Sequence, residues 1–418
     1  MSVPTSVPLH GILRPGTAGP FSQATTSAAR ERAVSIDCLR GLVMILMALD
    51  HTRAFLSAAR FAPLDLVYTT PALFLTRWVT HFCAPVFFLL AGLGASLSLA
   101  RGRTVPEISR FFLTRGLWLV LLELTVVSVG WYFTFRVVPW TAGVIWALGW
   151  SMVLMAALVW LPLPAIAIVG LALIGLHNAT DAVPPDAFGA LDWLWRVLHV
   201  PDVIGTPIDP YAETLVRIDY PIVPWVGVMA VGSIGPLLRQ PSARRRRALV
   251  ILGVLTIAAF LALRFGNGYG DPQPWSAQPS RIYTALAFLR VRKYPPSLDF
   301  LLMTLGPALV ALASLERARG RLVTVVVTFG RVPLFFYVLH IYVAHALAVA
   351  TAYAQGGTAT FLLSNSGVTP TITYPDWYGL GLPGVYALWL VIVAALYPVC
   401  RAFAAVKARR HDWWLSYL

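Results

Sequence analysis

Ionisable residues lie inside two long apolar segments near the start of the chain, and they have the clearest potential for chemistry. Arg40 and His51 are eleven positions apart in the first segment. At 100° per residue they share one face of a helix, about 16 Å apart along its axis. Asp37, one turn before Arg40, can neutralise the guanidinium. Because a charge in hydrocarbon costs several kcal/mol, such residues usually face a cavity, a partner or a substrate path.

A second histidine, His81, lies at the start of the next apolar segment. A short loop joins the two predicted helices, so they should be antiparallel neighbours with His81 and His51 at similar depth. Asp50, beside His51, would raise the basicity of the imidazole and hold its tautomer. We therefore predict a general base that deprotonates a hydroxyl or an amine, with His51, Asp50, His81 and Arg40 as the candidate catalytic residues. The alternative is that each histidine makes only a helix–helix hydrogen bond.

Further candidates lie elsewhere in the chain. The segment GRVPLFFYVLH, residues 330–340, places His340 near mid-depth, with Tyr337 one turn earlier on the same face. The loops on the outer side would shape the pocket for the substrate. The candidate substrate-binding residues are Asp65, Arg77, Tyr294 and His340.

The composition indicates an all-α, polytopic integral membrane protein. The chain has 418 residues, 58% of them hydrophobic and only 12% charged, about half the charged fraction of a soluble domain. Ten transmembrane helices are predicted. Segments 131–138 and 188–200 are candidates for interfacial or re-entrant segments, which leaves eleven spans as the alternative. The predicted spans are 34–55, 73–100, 110–129, 141–161, 163–178, 219–238, 246–264, 298–315, 322–350 and 380–405.

The net charge of +14 comes from basic residues clustered in alternate, short connections. This distribution places both termini in the cytoplasm by the positive-inside rule, and it argues for the lipid bilayer rather than nucleic acid as a partner. We predict a disordered cytoplasmic tail at 1–31, a transmembrane domain at 32–405 and a basic, aromatic cytoplasmic tail at 406–418. The ninth span is too long for one crossing, so its part before Gly330 and Arg331 should lie along the cytoplasmic surface.

Several kinds of chemistry lack their usual motifs. The three cysteines lie in or beside apolar segments without CxxC or Cys/His spacing, so no metal site and no disulfide framework is expected. The chain has no Walker A motif, no GxGxxG after a strand and no HExxH. These patterns disfavour ATP-driven transport, nucleotide-linked redox chemistry and zinc proteolysis.

The segments SIDCLRGLVMILMALDH and THFCAPVFFLLAG resemble the bacterial members of the heparan-alpha-glucosaminide N-acetyltransferase-like membrane family. Further similar segments are YPIVPWVGVMAVG, KYPPSLDFLLMTLGPAL and GRVPLFFYVLH. The spacing of Arg40 and His51 also resembles the wider group of transmembrane acyltransferases that modify sugars on bacterial surfaces. In that group the histidine is implied to be the catalytic base and the arginine to be needed for activity.

The resemblance implies a multi-pass acyltransferase of the bacterial inner (cytoplasmic) membrane. It would move an acetyl or short acyl group from cytoplasmic acyl-CoA, acetyl-CoA included, to a glycan or lipid-linked sugar on the other side. Lysosomal members carry their proposed active histidine in the loop after the first span, but loop 56–72 here has none. We therefore expect direct transfer with His51 as base.

Position and charge make Arg110, Arg115 and Arg331 the candidates for binding the CoA phosphates. The sequence leaves the oligomeric state open. It also leaves two other functions: a proton-coupled transporter or exporter of a polar metabolite that uses the same His and Asp residues as a relay, and a non-catalytic membrane scaffold.

Overall fold

The computed structural model describes residues 20–99, 101–135, 140–201, 203–204, 216–363, 374–410 and 412–417. These residues are predominantly helical, with one small sheet. The helices are α1 (Pro20–Leu56), α2 (Pro71–Val79), α3 (Cys83–Leu99), α4 (Val105–Leu122), α5 (Ser128–Tyr132), α6 (Val144–Leu158), α7 (Leu163–Leu176), α8 (Asp192–Leu198), α9 (Val223–Val231), α10 (Gly235–Leu238), α11 (Ser242–Gly266), α12 (Arg281–Leu289), α13 (Leu298–Leu315), α14 (Arg321–Arg331), α15 (Pro333–Ala354) and α16 (Leu382–Arg409).

Side-chain caps and prolines fix where several helices begin. Thr104 and Glu107 form a reciprocal capping box at the start of α4, and the hydroxyl of Ser297 accepts a hydrogen bond from the Phe300 N–H at the start of α13. These caps satisfy backbone donors that have no partner inside the helix. Proline in the first turn of α2 and of α15 supplies a preset helical φ.

Seven helical segments of the described residues are long and apolar enough to cross a membrane. They are Pro71–Leu99, Val105–Tyr132, Leu163–Thr180, Ser242–Gly266, Leu298–Leu315, Pro333–Ala354 and Leu382–Arg409. The protein is therefore a multi-pass membrane protein, as predicted. The remaining three predicted spans coincide with the charged helix α1, the 15-residue helix α6 and the short pair α9 and α10. The count of ten and the side of the termini stay predictions.

The segments proposed for an eleventh span do not form a helix of membrane length within the described residues. Residues 188–200 contain only α8, which has seven residues. Helix α5 ends at Tyr132, and residues 136–139 lie outside the described part.

The expected break in the ninth span is present. Helix α14 ends at Arg331, and Val332 adopts the non-helical angles φ −130° and ψ 50° before α15 starts at Pro333. The ring of a proline disfavours helical geometry in the residue before it, which explains the break.

Both predicted tails overlap helices of the described residues, and the division of the chain into two tails and a transmembrane domain stays a prediction. Helix α1 begins at Pro20, so residues 20–31, which we expected to be disordered, are helical, while residues 1–19 lie outside the described part. At the other end α16 continues to Arg409, so the first residues of the predicted tail 406–418 are helical.

Helix α1 lies at the centre of the bundle and contacts α3, α13, α14, α15 and α16. Its approach to α14 is the closest of these. A Cβ atom at Gly41 would overlap the carbonyl oxygen of Val326, and one at Gly330 would overlap that of Asp37. Small residues let membrane helices approach at backbone distance, and here they bring the end of α14 against Arg40 of α1.

The sheet has three short strands, β1 (Trp140–Ala142), β2 (Val203–Ile204) and β3 (Val216–Ile218), in the order β1-β3-β2. Strand β3 pairs parallel with β1, with Ala142 opposite Ile218, and antiparallel with β2. The Tyr220 N–H also donates to the Ala142 carbonyl at 3.3 Å. The sheet thereby ties Tyr220, a residue of the outer cluster described below, to the start of α6.

The contact between α1 and α14 gives a stability prediction. Gly41→Ala should destabilise the protein by roughly 1–3 kcal/mol, because the added methyl meets backbone that cannot move without separating the helices. Gly175→Ala is the matched control: it also lies in a helix, but its Cβ would meet no atom within 4 Å. Thermal unfolding in detergent should show a lower midpoint for Gly41→Ala only; equal midpoints for the two variants would contradict the packing argument.

Candidate functional site

The site centres on a direct contact between two histidines from different helices. Nδ1 of His51 on α1 lies 2.7 Å from Nε2 of His340 on α15. The two rings are nearly parallel, with an interplanar angle of 10° and centroids 4.9 Å apart. His340 is fully buried, whereas His51 is only partly buried. The sequence placed both residues inside the membrane but did not predict that they would pair.

Hydrogen bonding determines which nitrogen of His51 is basic. Nδ1 of His340 lies 2.9 Å from the carbonyl oxygen of Phe336, and a carbonyl can only accept, so this Nδ1 carries the proton. In a neutral His340 ring Nε2 is then the acceptor, and Nδ1–H of His51 donates to it. The unprotonated nitrogen of His51 is therefore Nε2, which has no hydrogen-bond partner among the described residues.

Aromatic rings hold the pair in place. Trp131 meets the His51 ring edge-on at 4.9 Å, and Tyr337 does so at 6.0 Å. Phe336 stacks on His340 at 5.1 Å. These contacts restrict both imidazoles, so the orientation of Nε2 of His51 is fixed by packing as well as by hydrogen bonds.

Among the described residues Asp50 makes no hydrogen bond to His51, and its expected role in orienting the imidazole stays a prediction. Its Oδ2 accepts from Nη1 of Arg77 at 2.7 Å and its Oδ1 from Nη2 of Arg53 at 3.0 Å. Consecutive residues on a helix point about 100° apart, so neighbours in sequence do not face each other. The carboxylate instead ties α1 to α2.

His81 also differs from the expectation. It lies in a 3₁₀ turn, Thr80–Phe82, and is fully buried, with the ring edge-on to Phe300 at 5.3 Å. Neither ring nitrogen has a hydrogen-bond partner among the described residues. The described partner of His51 is His340 and not His81, because the span breaks at this turn and a regular helical period does not give the direction of His81.

Arg40 is held at the other end of the predicted face. Its Nη1 donates to Asp37 Oδ1 at 3.1 Å and to the carbonyl of Gly330 at 3.0 Å. The predicted pairing of Asp37 with Arg40 is present, and Arg331 adds a longer contact to Asp37 at 3.8 Å.

A cavity of about 550 Å³ extends from Arg40 to Tyr337, which lies between the cavity and the histidine pair; neither histidine lines it. Its inner part ends at Tyr337, whose ring contacts both histidines. Its cationic lining residues are Arg40, Arg101, Arg103, Arg115, Arg331 and Lys407. Its apolar lining includes Met44, Met47, Phe87, Phe88, Ile108, Phe112, Leu119, Ile145, Leu148, Met152 and Leu334. The cavity is thus basic where the chain carries its predicted cytoplasmic arginines and apolar toward His51.

Two of the three arginines that we predicted for phosphate binding line the cavity, and one does not. Arg115 and Arg331 line it, but Arg110 is exposed and does not. Five residues along α4 correspond to a rotation of about 140°, so Arg110 and Arg115 face different directions. Arg101 and Arg103 line the cavity instead, although their sequence positions suggested only a topological role.

Three of the four predicted substrate-binding residues lie near α1, and the fourth, Asp65, does not. The hydroxyl of Tyr294 lies 3.4 Å from that of Tyr220, and Arg77 is joined to Asp50, next to His51. Asp65 accepts a hydrogen bond from the Val67 N–H within its own loop. Arg77, Tyr294 and His340 are therefore gathered around α1, whereas the contacts of Asp65 are local.

Glu123 was missed by the sequence analysis. It is buried in a π-helical segment, Glu123–Val127, and its Oε2 accepts from the backbone N–H of Ile145 at 3.1 Å. A carboxylate at a helix N-terminus satisfies free N–H groups and the positive end of the dipole, so Glu123 anchors the start of α6 at the inner end of the cavity. The signal was a single acid inside the apolar run LWLVLLELTVV.

Membrane-length helices around buried ionisable pairs are typical of polytopic membrane enzymes and transporters. Comparison with known families distinguishes these classes. Residues 32–265, more than half of the chain, match the family "Heparan-alpha-glucosaminide N-acetyltransferase, catalytic". The chain belongs to this family, which confirms the resemblance and implies a transmembrane acetyltransferase-type activity. A comparison with curated proteins finds no match.

The tautomer assignment can be tested directly. In ¹⁵N NMR spectra of histidine-labelled protein at neutral pH, His51 should show a protonated Nδ1 and an unprotonated Nε2. His340→Phe removes the acceptor and should convert His51 to a mixture of tautomers. The control His345→Phe, at a buried histidine that bonds Gly130 instead, should leave the His51 signals unchanged. A protonated Nε2 on His51 in the unmodified protein would refute the assignment.

Proposed function

We propose that this membrane transferase moves an acetyl or short acyl group from acyl-CoA to a sugar hydroxyl or amine on the opposite side, with His51 as the general base. One observation supports the proposal: the cavity is basic at Arg40 and Arg115 and extends to Tyr337, whose ring centroid lies 6.0 Å from that of His51. Such a cavity can hold a polyanionic donor and present a small neutral group to a base.

The two parts of the cavity match the two parts of acyl-CoA. The phosphates of the donor need arginine and lysine side chains, which bind phosphate through charge-assisted hydrogen bonds. The pantetheine arm is thin and largely uncharged, which suits the apolar part. Along α1 the distance from Arg40 to His51 is about 16 Å, a span that an extended pantetheine arm covers. Arg40 then holds the donor or closes the cavity behind it.

In the proposed reaction Nε2 of His51 takes the proton of the acceptor hydroxyl or amine. The acceptor oxygen or nitrogen bonds to the thioester carbonyl carbon, the carbon–sulfur bond breaks, and His51 returns the proton to the CoA thiolate. His340 accepts the Nδ1–H of His51 throughout and is itself held by the Phe336 carbonyl. His340 is thus a positioning residue that stabilises the imidazolium form.

The outer residues belong to the acceptor side in this proposal. Arg77 and Tyr294 bind the acceptor, and His81 contacts it or shares the proton transfer. Passing only the acyl group through the bundle keeps both polar partners out of hydrocarbon, where unpaired polar groups are costly. The family match favours this transfer over a proton-coupled transporter.

The first test of the proposal is transfer of labelled acetyl from CoA in membrane vesicles. His51→Asn keeps an N–H that can donate to His340 but lacks a basic nitrogen, so transfer should fall roughly 10²- to 10⁴-fold, the usual contribution of a general base. Protein amount and size-exclusion profile should be unchanged. Wild-type transfer by folded His51→Asn would reject His51 as the base.

The second test compares two arginines of α4. Arg115→Gln should raise the KM for acyl-CoA by roughly 10- to 100-fold, because a hydrogen bond to a charged group contributes about 1.5–3 kcal/mol. Arg110→Gln removes the same charge from the same helix but outside the cavity, so its KM should stay near the wild-type value. Equal effects of the two changes would indicate a general surface-charge effect and would contradict donor binding in the cavity.

A further inference from the structure

A second group of charged residues acts on His51, and none of its members lines the cavity. Arg53 on α1 pairs with Asp50, and Arg77 on α2 pairs with the same carboxylate. The Lys293 side chain, which is largely buried, acts electrostatically on both Asp50 and His51. We call Asp50, Arg53, Arg77 and Lys293, together with Tyr220 and Tyr294, the outer cluster.

The cations of the outer cluster exceed its anions. Three positive side chains face one carboxylate, and among the described residues no second acid pairs with them. The side chains of Arg53 and Arg77 are only 13% exposed and that of Asp50 18%. Removing uncompensated charge from water is costly, so a net charge of about +2 at this depth indicates a site that an anion completes.

Unused hydrogen-bonding atoms point to the same conclusion. Nε of Arg53 is buried without a partner among the described residues, and so are both ring nitrogens of His81, on which Arg77 and Lys293 act. Buried polar atoms are normally paired with protein, water or ligand. Lys293 places its ammonium over the Tyr220 and Tyr294 rings, 5.8 and 5.0 Å from their centroids, which holds the charge in position without neutralising it.

We propose that the outer cluster binds an anionic oxyacid group of the acceptor, a carboxylate or a phosphate. This inference rests on the proposed function and names the acceptor class: a sugar that carries its own negative charge near the hydroxyl or amine to be acylated. Guanidinium groups bind both kinds of oxyanion through paired N–H donors. The oxyanion held by Arg53, Arg77 and Lys293 would orient the sugar toward Nε2 of His51.

A sugar acid and a sugar phosphate offer the same chemistry, so the experiment includes both. Binding to the purified full-length protein is measured for glucose, glucuronate and glucose 6-phosphate, without any donor, and for vesicles that contain a lipid-linked sugar phosphate. At least one anionic ligand should bind about tenfold or more tightly than glucose, and inorganic phosphate should compete with it. The soluble and vesicle arms show whether the charge comes from a sugar acid or from a lipid-linked phosphate.

Variants assign the effect to the cluster. Lys293→Gln should remove most of the preference for the anion and Lys293→Arg should restore it. Arg281→Gln, at an exposed arginine in the first turn of α12, should keep the preference. If Lys293→Gln does not fold, the competition experiment with the wild-type protein still tests the inference: displacement of the anionic sugar by inorganic phosphate supports an oxyanion site, and no displacement contradicts it. Equal binding of glucose and both anionic sugars, in solution and on vesicles, overturns the inference.

The donor-free design separates the two proposals. Preferential anion binding through Lys293 without any transfer from acetyl-CoA would support the outer cluster and count against the proposed reaction. Transfer from acetyl-CoA at equal efficiency to glucose, glucuronate and glucose 6-phosphate would support the reaction and overturn the anionic acceptor.

Discussion

The cost of placing charge in hydrocarbon governs the whole structure. Helix α1 carries Asp37, Arg40, Asp50, His51 and Arg53, and none of them can face lipid without a partner or water. The helix is therefore enclosed by α3, α13, α14, α15 and α16. Some of these groups pair within α1, as Asp37 does with Arg40 and Asp50 with Arg53. Their other partners come from α14, α15 and α2, so the polar groups of one helix hold these three helices against it.

The same constraint explains why the two glycines of the α1–α14 contact matter for function. The close backbone approach at Gly41 and Gly330 brings the Gly330 carbonyl within 3.0 Å of the Arg40 guanidinium. Arg40 is thereby held at the cavity wall by the Asp37 carboxylate and the Gly330 carbonyl, both of which accept from its Nη1. A guanidinium has five N–H donors, so these two acceptors do not use all of them. The packing of α1 against α14 near Arg40 therefore also sets the position of one of the cations that line the cavity.

Local rules predicted local features. The Asp37–Arg40 pair follows from a separation of three residues. The break in the ninth predicted span was expected from its length, and proline sterics explain why it falls at Val332. The His51–His340 contact joins residues 289 positions apart, so no periodicity could reveal it. The rotation of a helix about its axis is not visible in its sequence, so Arg110 and Arg115 were equal candidates, and only Arg115 lines the cavity.

Two expected contacts with His51, from Asp50 and from His81, are not present among the described residues, and the reason is the same for both. Asp50 was paired with His51 because they are adjacent in sequence, and His81 because it shares a predicted depth with His51. Adjacency and depth constrain one coordinate each, whereas contact requires that side chains also point toward one another. Glu123 shows the reverse case: its isolated acidic character was visible in the sequence, but its role needed the turn of chain at Gly143–Ile145 that its carboxylate caps.

His51 is oriented by His340, and the neighbouring carboxylate of Asp50 is instead bonded to Arg53 and Arg77. Each oxygen of Asp50 accepts from an arginine, and among the described residues no hydrogen bond joins Asp50 to His51. His340 takes that place as a neutral imidazole, which accepts from His51 and donates to the Phe336 carbonyl. The resulting chain fixes the tautomer of His51 without adding charge. The cationic side chains of the site belong to the cavity lining or to the outer cluster.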